Sequence, residues 1–200
     1  MNLGQGERQG MEEATRYFDE LAGVIRTVET THRDGRPLSL PEGIEEAIQV
    51  ITRRTGAGRK IIFIGNGGSA AIASHQAIDY WKNGGMRAVS FNDSSLLTCI
   101  SNDYGYPHVF EKSVEMFADE KDVLVAISSS GQSENIIRGS RAALAKGCDL
   151  ITMSGFKPDN PLRTMGQVNF FAPSSSYGHV EITHLALCHC IVDTIISRRA

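Results

Sequence analysis

Residues 61–69 read IIFIGNGGS, and few folds accommodate that order of residues. Four consecutive apolar residues predict a strand buried on both faces, as inside a parallel sheet. The glycine-rich turn at 65–69 leads into AAIASH at 70–75, which favours helix. A strand, a glycine turn and a helix start make a preformed anion site. Backbone N–H groups converge there, the helix dipole favours negative charge, and glycine lets a ligand approach the main chain. It is not a Walker A loop, because no Lys-Ser/Thr follows the glycines, and GxGxxG is absent.

The pattern recurs along the chain. VLVAI at 123–127 is a second buried strand and runs straight into SSSGQS at 128–133. Further strands are expected at 87–91, 150–153 and 168–172. Helices are expected at 69–82, 95–100, 109–117, 134–146 and 179–197, with a short helical piece at 162–165. Ahead of the first strand, Tyr17, Phe18, Leu21, Val24, Ile25 and Val28 recur at helical spacing, which predicts a helix over 11–32. A polar linker at 32–41 follows, and Pro41 opens a second helix carried by Ile44, Ala47, Ile48 and Ile51. Residues 1–10 are polar and glycine-containing and read as a flexible N-terminus; 11–200 read as one domain. Strands alternating with helices predict an α/β fold with a doubly wound, central parallel sheet.

Composition narrows the function. Two hundred residues, 41% of them hydrophobic, suffice for one substantial core. A formal charge of −3 gives no reason to expect nucleic acid or an anionic membrane as partner. No apolar run approaches the roughly 18 residues of a membrane span. The four cysteines include no CxxC pair. Cys99 and Cys148 sit in apolar sequence and read as packed, reduced thiols, which fits a cytoplasmic protein.

In a doubly wound sheet, ligands collect beyond the carboxyl ends of the strands. Both GNGGS and SSSGQS lie there, and the second adds the hydroxyls of Ser128, Ser130 and Ser133 at a helix start. Neither loop contains lysine, so the single phosphate of a sugar suits them better than a triphosphate. His75 and Asp79 stand four apart on the helix after the first loop and share a face. Glu181 and His189, eight apart near the chain end, are also close on a helical wheel. An imidazole and a carboxylate from each of two helices can hold a divalent metal or supply an acid–base pair. His184 and Cys188 read as packing residues.

Together, GNGGS at 65–69, His75, NDSSLLTCISNDYGY at 92–106, DVLVAISSSGQS at 122–133 and Glu181 with His189 resemble the sugar isomerase (SIS) domain family. The resemblance covers about 12–196 and is to the phosphoheptose isomerase branch. It implies a flavodoxin-like three-layer sandwich, assembled in the cytoplasm as a homotetramer with active sites between subunits. The implied reaction converts sedoheptulose 7-phosphate into D-glycero-D-manno-heptose 7-phosphate for surface polysaccharide synthesis. Carried over by position, Ser69, Ser128, Ser130 and Ser133 would hold the phosphate, beside the backbone of Gly67 and Gly68. Asn66, Asp93, Ser129 and Glu181 would contact the sugar or the phosphate surround. The family's base falls at Asp79 and its acid at His189, and the zinc bound by some members would lie on His75, Asp79, Glu181 and His189.

Three departures from the family pattern stand out. Asp79 replaces a glutamate, Glu181 replaces a glutamine, and Gly178-His179-Val180-Glu181-Ile182 replaces an Asp-Arg-Ile-Gln-Glu approach to the last helix. A second carboxylate beside Asp79 argues for a cation between the two, and the third change allows a sugar of different length or stereochemistry. The alternatives are therefore an isomerase of another phosphosugar, or a non-catalytic relative that binds the replication initiator. That relative lacks an acidic residue at the position of Asp79 and a histidine at that of His189; this chain keeps both.

Overall fold

A computed structural model describes residues 5–199. The seven-stranded sheet runs β2 (Pro37–Leu38), β1 (Glu29–His32), β7 (Val168–Ala172), β6 (Asp149–Gly155), β5 (Val123–Ser128), β3 (Ile61–Gly65), β4 (Ala88–Ser90). The five strands from β7 to β4 are parallel. Taken in chain order their sequence across the sheet is 2-1-3-4-5, the flavodoxin-like winding. Every residue of β3, β5, β6 and β7 is buried, as expected for largely apolar strands inside a parallel sheet, the polar Asp149, Thr152, Ser154 and Asn169 included.

Alternate strand residues feed two cores. Phe63, Val125, Met153 and Phe170 pack under α2 (Leu40–Gly56), α3 (Gly68–Lys82) and α7 (Tyr177–Ser197). Ile62, Ile64, Leu124 and Leu150 pack under α4 (Ser94–Tyr104), α5 (Val109–Phe117) and α6 (Glu134–Ala145). Among the described residues, α7 alone is long and apolar enough to cross a bilayer by length and composition. Here Val180, Leu187, Ile191, Val192 and Ile195 bury that apolar character in the core.

The N-terminal region differs from expectation. Helix α1 spans Gln5–Arg26, so it begins earlier than the expected 11 and takes in residues 5–10; residues 1–4 lie outside the described residues. The helix also stops before 32. Thr27, Thr30 and Thr31 are β-branched and poor helix formers, and the free edge of β7 captures Glu29–His32 as an antiparallel strand, burying Thr30. The expected linker folds back as β2. Cys148 is buried, whereas Cys99 is exposed on α4 with its Sγ 3.7 Å from the Asp103 carboxylate.

Candidate active site

Strands β3 and β5 are neighbours, with Gly65 beside Ile127 at their carboxyl ends. Their helices leave to opposite sheet faces, α3 into one core and α6 into the other. A crevice opens at such a switch point for want of a crossing chain. Here it is a cleft of about 350 Å³. The first loop lines it with Asn66, Gly67, Gly68 and Ser69, the second with Ser128, Ser129, Ser130 and Ser133, and α7 with Tyr177 and Glu181. The two loops singled out by their glycines and serines thus face each other. Tyr177 carried no sequence signal.

The cleft is rich in hydrogen-bond donors. Helices α2 and α4 are capped by the side chains of Ser39 and Asp93. The helices that begin at the cleft, α3, α6 and α7, have no side-chain cap, so their first N–H groups remain available to a ligand. Ser130 Oγ accepts from the Gln132 N–H at 3.2 Å and Ser128 Oγ from the Gly131 N–H at 3.1 Å. Ser129 Oγ is buried without a protein partner, an arrangement that a ligand oxygen would satisfy.

Two buried asparagines missed in the sequence, Asn135 and Asn160, set this geometry. Asn66 Nδ2 donates to Asn135 Oδ1 at 2.9 Å, and Asn135 Nδ2 donates back to Asn66 Oδ1 at 2.8 Å. The Tyr106 hydroxyl also donates to Asn66 Oδ1, at 3.0 Å. Asn160 braces the serine loop from behind. Gly131, at φ +62°, leaves the space its own Cβ would fill to the Asn160 side chain, whose Oδ1 lies 2.0 Å from that point. Leu162 N–H donates to the Gly131 carbonyl at 3.1 Å. An asparagine in the first turn of a helix or before a proline is ordinary, so neither stood out.

A second cluster lies between α3 and α7. His75 Nε2 is 3.2 Å from Asp79 Oδ2, and His189 Nδ1 is 3.8 Å from the same oxygen. All three ligating atoms lie within 4.8 Å of one another. A tetrahedral zinc with ligands at about 2.0–2.2 Å sets neighbouring donors roughly 3.3–3.6 Å apart, so the three side chains fit such an ion. Three protein donors is also the usual count where a fourth position serves substrate. Asp79 Oδ1 additionally accepts from Asn83 Nδ2 at 3.2 Å, which orients the carboxylate.

Glu181 does not join this group. Its two carboxylate oxygens lie 2.4 Å from the point where a Gly68 Cβ would stand. Eight residues of helix are about 12 Å of axis, so a shared face on the wheel did not bring Glu181 to His189. Asp93 is likewise outside the cleft's lining. Its Oδ1 accepts from Ser95 N–H and Leu96 N–H at 2.9 and 3.0 Å as the cap of α4. His184 is buried and donates from Nε2 to the Ser154 carbonyl at 3.1 Å, and burial pushes its pKa down to about 4. Cys188 is buried too, its thiol pushed up to about 12. Both are packing residues. The atypical Gly178 and His179 face α1: the Tyr17 ring lies 4.7 Å from His179, and its hydroxyl occupies the space beside Gly178.

Fold and cleft together define a doubly wound α/β protein whose ligand site is built from helix N-termini and serine hydroxyls at the switch point. The chain belongs to the SIS domain family, which matches residues 16–155, and within it to the phosphoheptose isomerases. It is 35% identical to the phosphoheptose isomerase of Sodalis glossinidius over 180 residues, covering 87% of this chain and 91% of that one. Against the Shewanella denitrificans phosphoheptose isomerase it is 33% identical, covering 78% and 84%. The solved phosphoheptose isomerase GmhA of Neisseria gonorrhoeae superposes with a TM-score of 0.81 at 30% identity, over 94% of this chain and 98% of that one. The Francisella tularensis phosphoheptose isomerase gives 0.79 at 25% identity with the same coverage.

Proposed function

We propose that this chain is a cytoplasmic phosphosugar isomerase that converts sedoheptulose 7-phosphate into D-glycero-D-manno-heptose 7-phosphate. The observation that carries this reading is the cleft itself. Helix N-termini without side-chain caps and five serines converge on it, and its lining holds no lysine or arginine. Such donors suit one phosphate monoester. The relatives' shared activity supplies the sugar.

The phosphate grip contributes remote binding energy that holds C1 and C2 of the sugar beside the α3–α7 cluster. Asp79 then removes a proton from C1, leaving an enediolate, and returns a proton to C2. His189 delivers a proton to O2 and accepts one from O1, so the carbonyl moves from C2 to C1. Zinc on His75, Asp79 and His189 would add polarisation of the sugar carbonyl.

Assembly as a homotetramer with sites between subunits is part of this proposal. Met11 and Phe18 on α1, and Ile78 and Trp81 on α3, are large apolar side chains left exposed on one chain, surface that a second copy would bury. Four unpaired cysteines suit the cytoplasm.

Proton exchange tests the reaction. In heavy water, with the protein stripped of metal in one arm and supplied with zinc in the other, sedoheptulose 7-phosphate should lose its C1 proton signals as the aldose forms. Exchange with only a shorter ketose phosphate would reassign the substrate. Binding without exchange in either arm would make the chain a phosphosugar-binding module.

A further inference from the structure

Helix α3 carries a glutamine into an apolar core with nothing to bond it. Gln76 is 0% exposed, and neither its Nε2 nor its Oε1 has a hydrogen-bond partner among the described residues. Its neighbours along α3, Ile72, Ala73, Ala77 and Tyr80, belong to that core. Buried amides without partners are rare in native proteins. A candidate partner stands on α7. Both helices follow parallel strands and pack on the same face of the sheet, so they run in one direction. Their register is given by the Tyr80 hydroxyl, which donates to the Cys188 carbonyl at 3.4 Å. One helical turn back from each member of that pair stand Gln76 and His184. His184 is also 0% exposed. Its Nε2 donates to the Ser154 carbonyl, which leaves Nδ1 as an acceptor, buried and without a partner. Three unpaired polar atoms, one donor and two acceptors, thus fall at one level of the α3–α7 seam. A direct amide–imidazole bond would still leave Oε1 unpaired, whereas a buried water commonly makes about three such bonds.

Building on the isomerase reading above, we infer that Gln76 is a positioning residue: an internal water joins its amide to His184 Nδ1, and this bridge fixes the height of α3 against α7. The water accepts from Gln76 Nε2 and donates to His184 Nδ1 and Gln76 Oε1. The bridge matters because the acid–base cluster is split across the same seam. His75, next to Gln76 in the chain, and Asp79 come from α3, His189 comes from α7, and their ligating atoms meet within 4.8 Å. Helix α7 is itself pinned to β6 by the bond from His184 to Ser154, so the bridge passes that anchor on to α3. A displacement near 1 Å can cost about 100-fold in rate. An apolar residue at 76 would fill the space without setting the height, because apolar packing is non-directional.

Gln76→Met tests the inference on the full chain, since it keeps the length of the side chain and removes the amide. In protein labelled with nitrogen-15 histidine, the His184 Nδ1 resonance should move downfield as its hydrogen bond is lost; the slowly exchanging Nε2–H identifies that ring. The dissociation constant for zinc alone, measured by calorimetry, should weaken about tenfold. For sedoheptulose 7-phosphate, kcat should fall about tenfold while KM changes less than about twofold. Gln76→Asn retains an amide and should keep kcat within about threefold of the parent. A His184 Nδ1 resonance that stays in place in Gln76→Met would overturn the bridge. So would a higher melting temperature, the result expected if the change had merely removed a stranded amide. A moved resonance with zinc affinity and kcat unchanged would overturn the positioning role. A parent protein that neither isomerises the sugar nor exchanges its C1 protons would overturn the isomerase reading itself, and the resonance and zinc measurements would still judge the bridge.

Discussion

Asn66 and Asn135 exchange two amide hydrogen bonds, at 2.9 and 2.8 Å, between the glycine loop after β3 and the first turn of α6. The pair ties the two halves of the cleft together, because each loop is anchored to a different sheet face. Asn66 Oδ1 also accepts from Tyr106 and Asn135 Oδ1 from the Ile136 N–H, so both carbonyls are doubly used. Asn135→Ala should cost about 1–3 kcal/mol of stability, the usual penalty for stranding a buried polar partner. It should raise the KM for the phosphosugar roughly tenfold with a smaller loss of kcat, since it misplaces a binding group and leaves the α3–α7 cluster intact. Thermal unfolding and steady-state kinetics check the two parts. An unchanged KM would confine the pair to a structural role.

The serine loop depends on a backbone that most residues resist. Gly131 sits at φ +62°, and Asn160 fills the space a side chain would need. Asn160 cannot easily retreat, because its Nδ2 donates to the Lys157 carbonyl at 2.8 Å and to Ser154 Oγ at 3.2 Å. Gly131→Ala should therefore combine about 1–2 kcal/mol of left-handed backbone strain with displacement of that asparagine. The expected result is a lower melting temperature together with a phosphosugar dissociation constant at least about tenfold weaker. Calorimetry would expose the error if binding were unaltered.

Asp79 and the serine cleft are separate parts of the site, and kinetics should separate them too. The carboxylate lies 3.2 Å from His75 and 3.8 Å from His189 but is not among the residues lining the cleft. Asp79→Asn should reduce kcat by about 10²–10⁴-fold, the range for loss of a positioned base. Affinity for the phosphosugar, measured by calorimetry on the inactive variant, should move less than about threefold. A loss confined to affinity would remove Asp79 from the chemistry.

What the sequence made legible follows from the range of the forces involved. IIFIG and VLVAI announce buried strands because a parallel strand is apolar on both faces, and the glycine and serine loops follow directly from them. His75 and Asp79 could be paired because four residues of helix return to the same place. Glu181 and His189 share a face but not a height, so wheel arithmetic joined what the helix axis separates. Asp93 is expected only as a contact to the sugar or the phosphate surround; in the fold its carboxylate caps its own helix, a local interaction. The Glu29–His32 strand was hidden for a different reason. Helical spacing continues through Val28, and only the unpaired edge of β7, 140 residues downstream at Val168, decides the outcome. Asn135 belongs to the same class, since its partner Asn66 is 69 residues away; the hydrogen bonds of Asn160 are local, and only its contact with Gly131 is tertiary.

His184 supplies the last prediction, and it concerns stability. It is fully buried on α7, donates from Nε2 to the Ser154 carbonyl, and has its pKa lowered from 6.5 to about 4. Between those two values the unfolded chain binds a proton that the folded chain refuses. Unfolding then takes up protons, so stability rises with pH across that window and levels off above it. By linkage this one group withdraws up to about 3 kcal/mol as pH falls from 7 to 4. His184→Gln retains a donor at the position of Nε2 and does not titrate. Its unfolding free energy, measured by denaturant titration at pH 7 and at pH 4.5, should fall less between the two than the parent's does. Paired carboxylates such as Asp149, where burial raises the pKa but hydrogen bonds from Arg54 and Gln167 outweigh it and hold the group below its usual value, contribute an acid dependence common to both proteins, so the difference between the two slopes isolates the imidazole. Identical slopes would show that His184 titrates alike in the folded and unfolded chains.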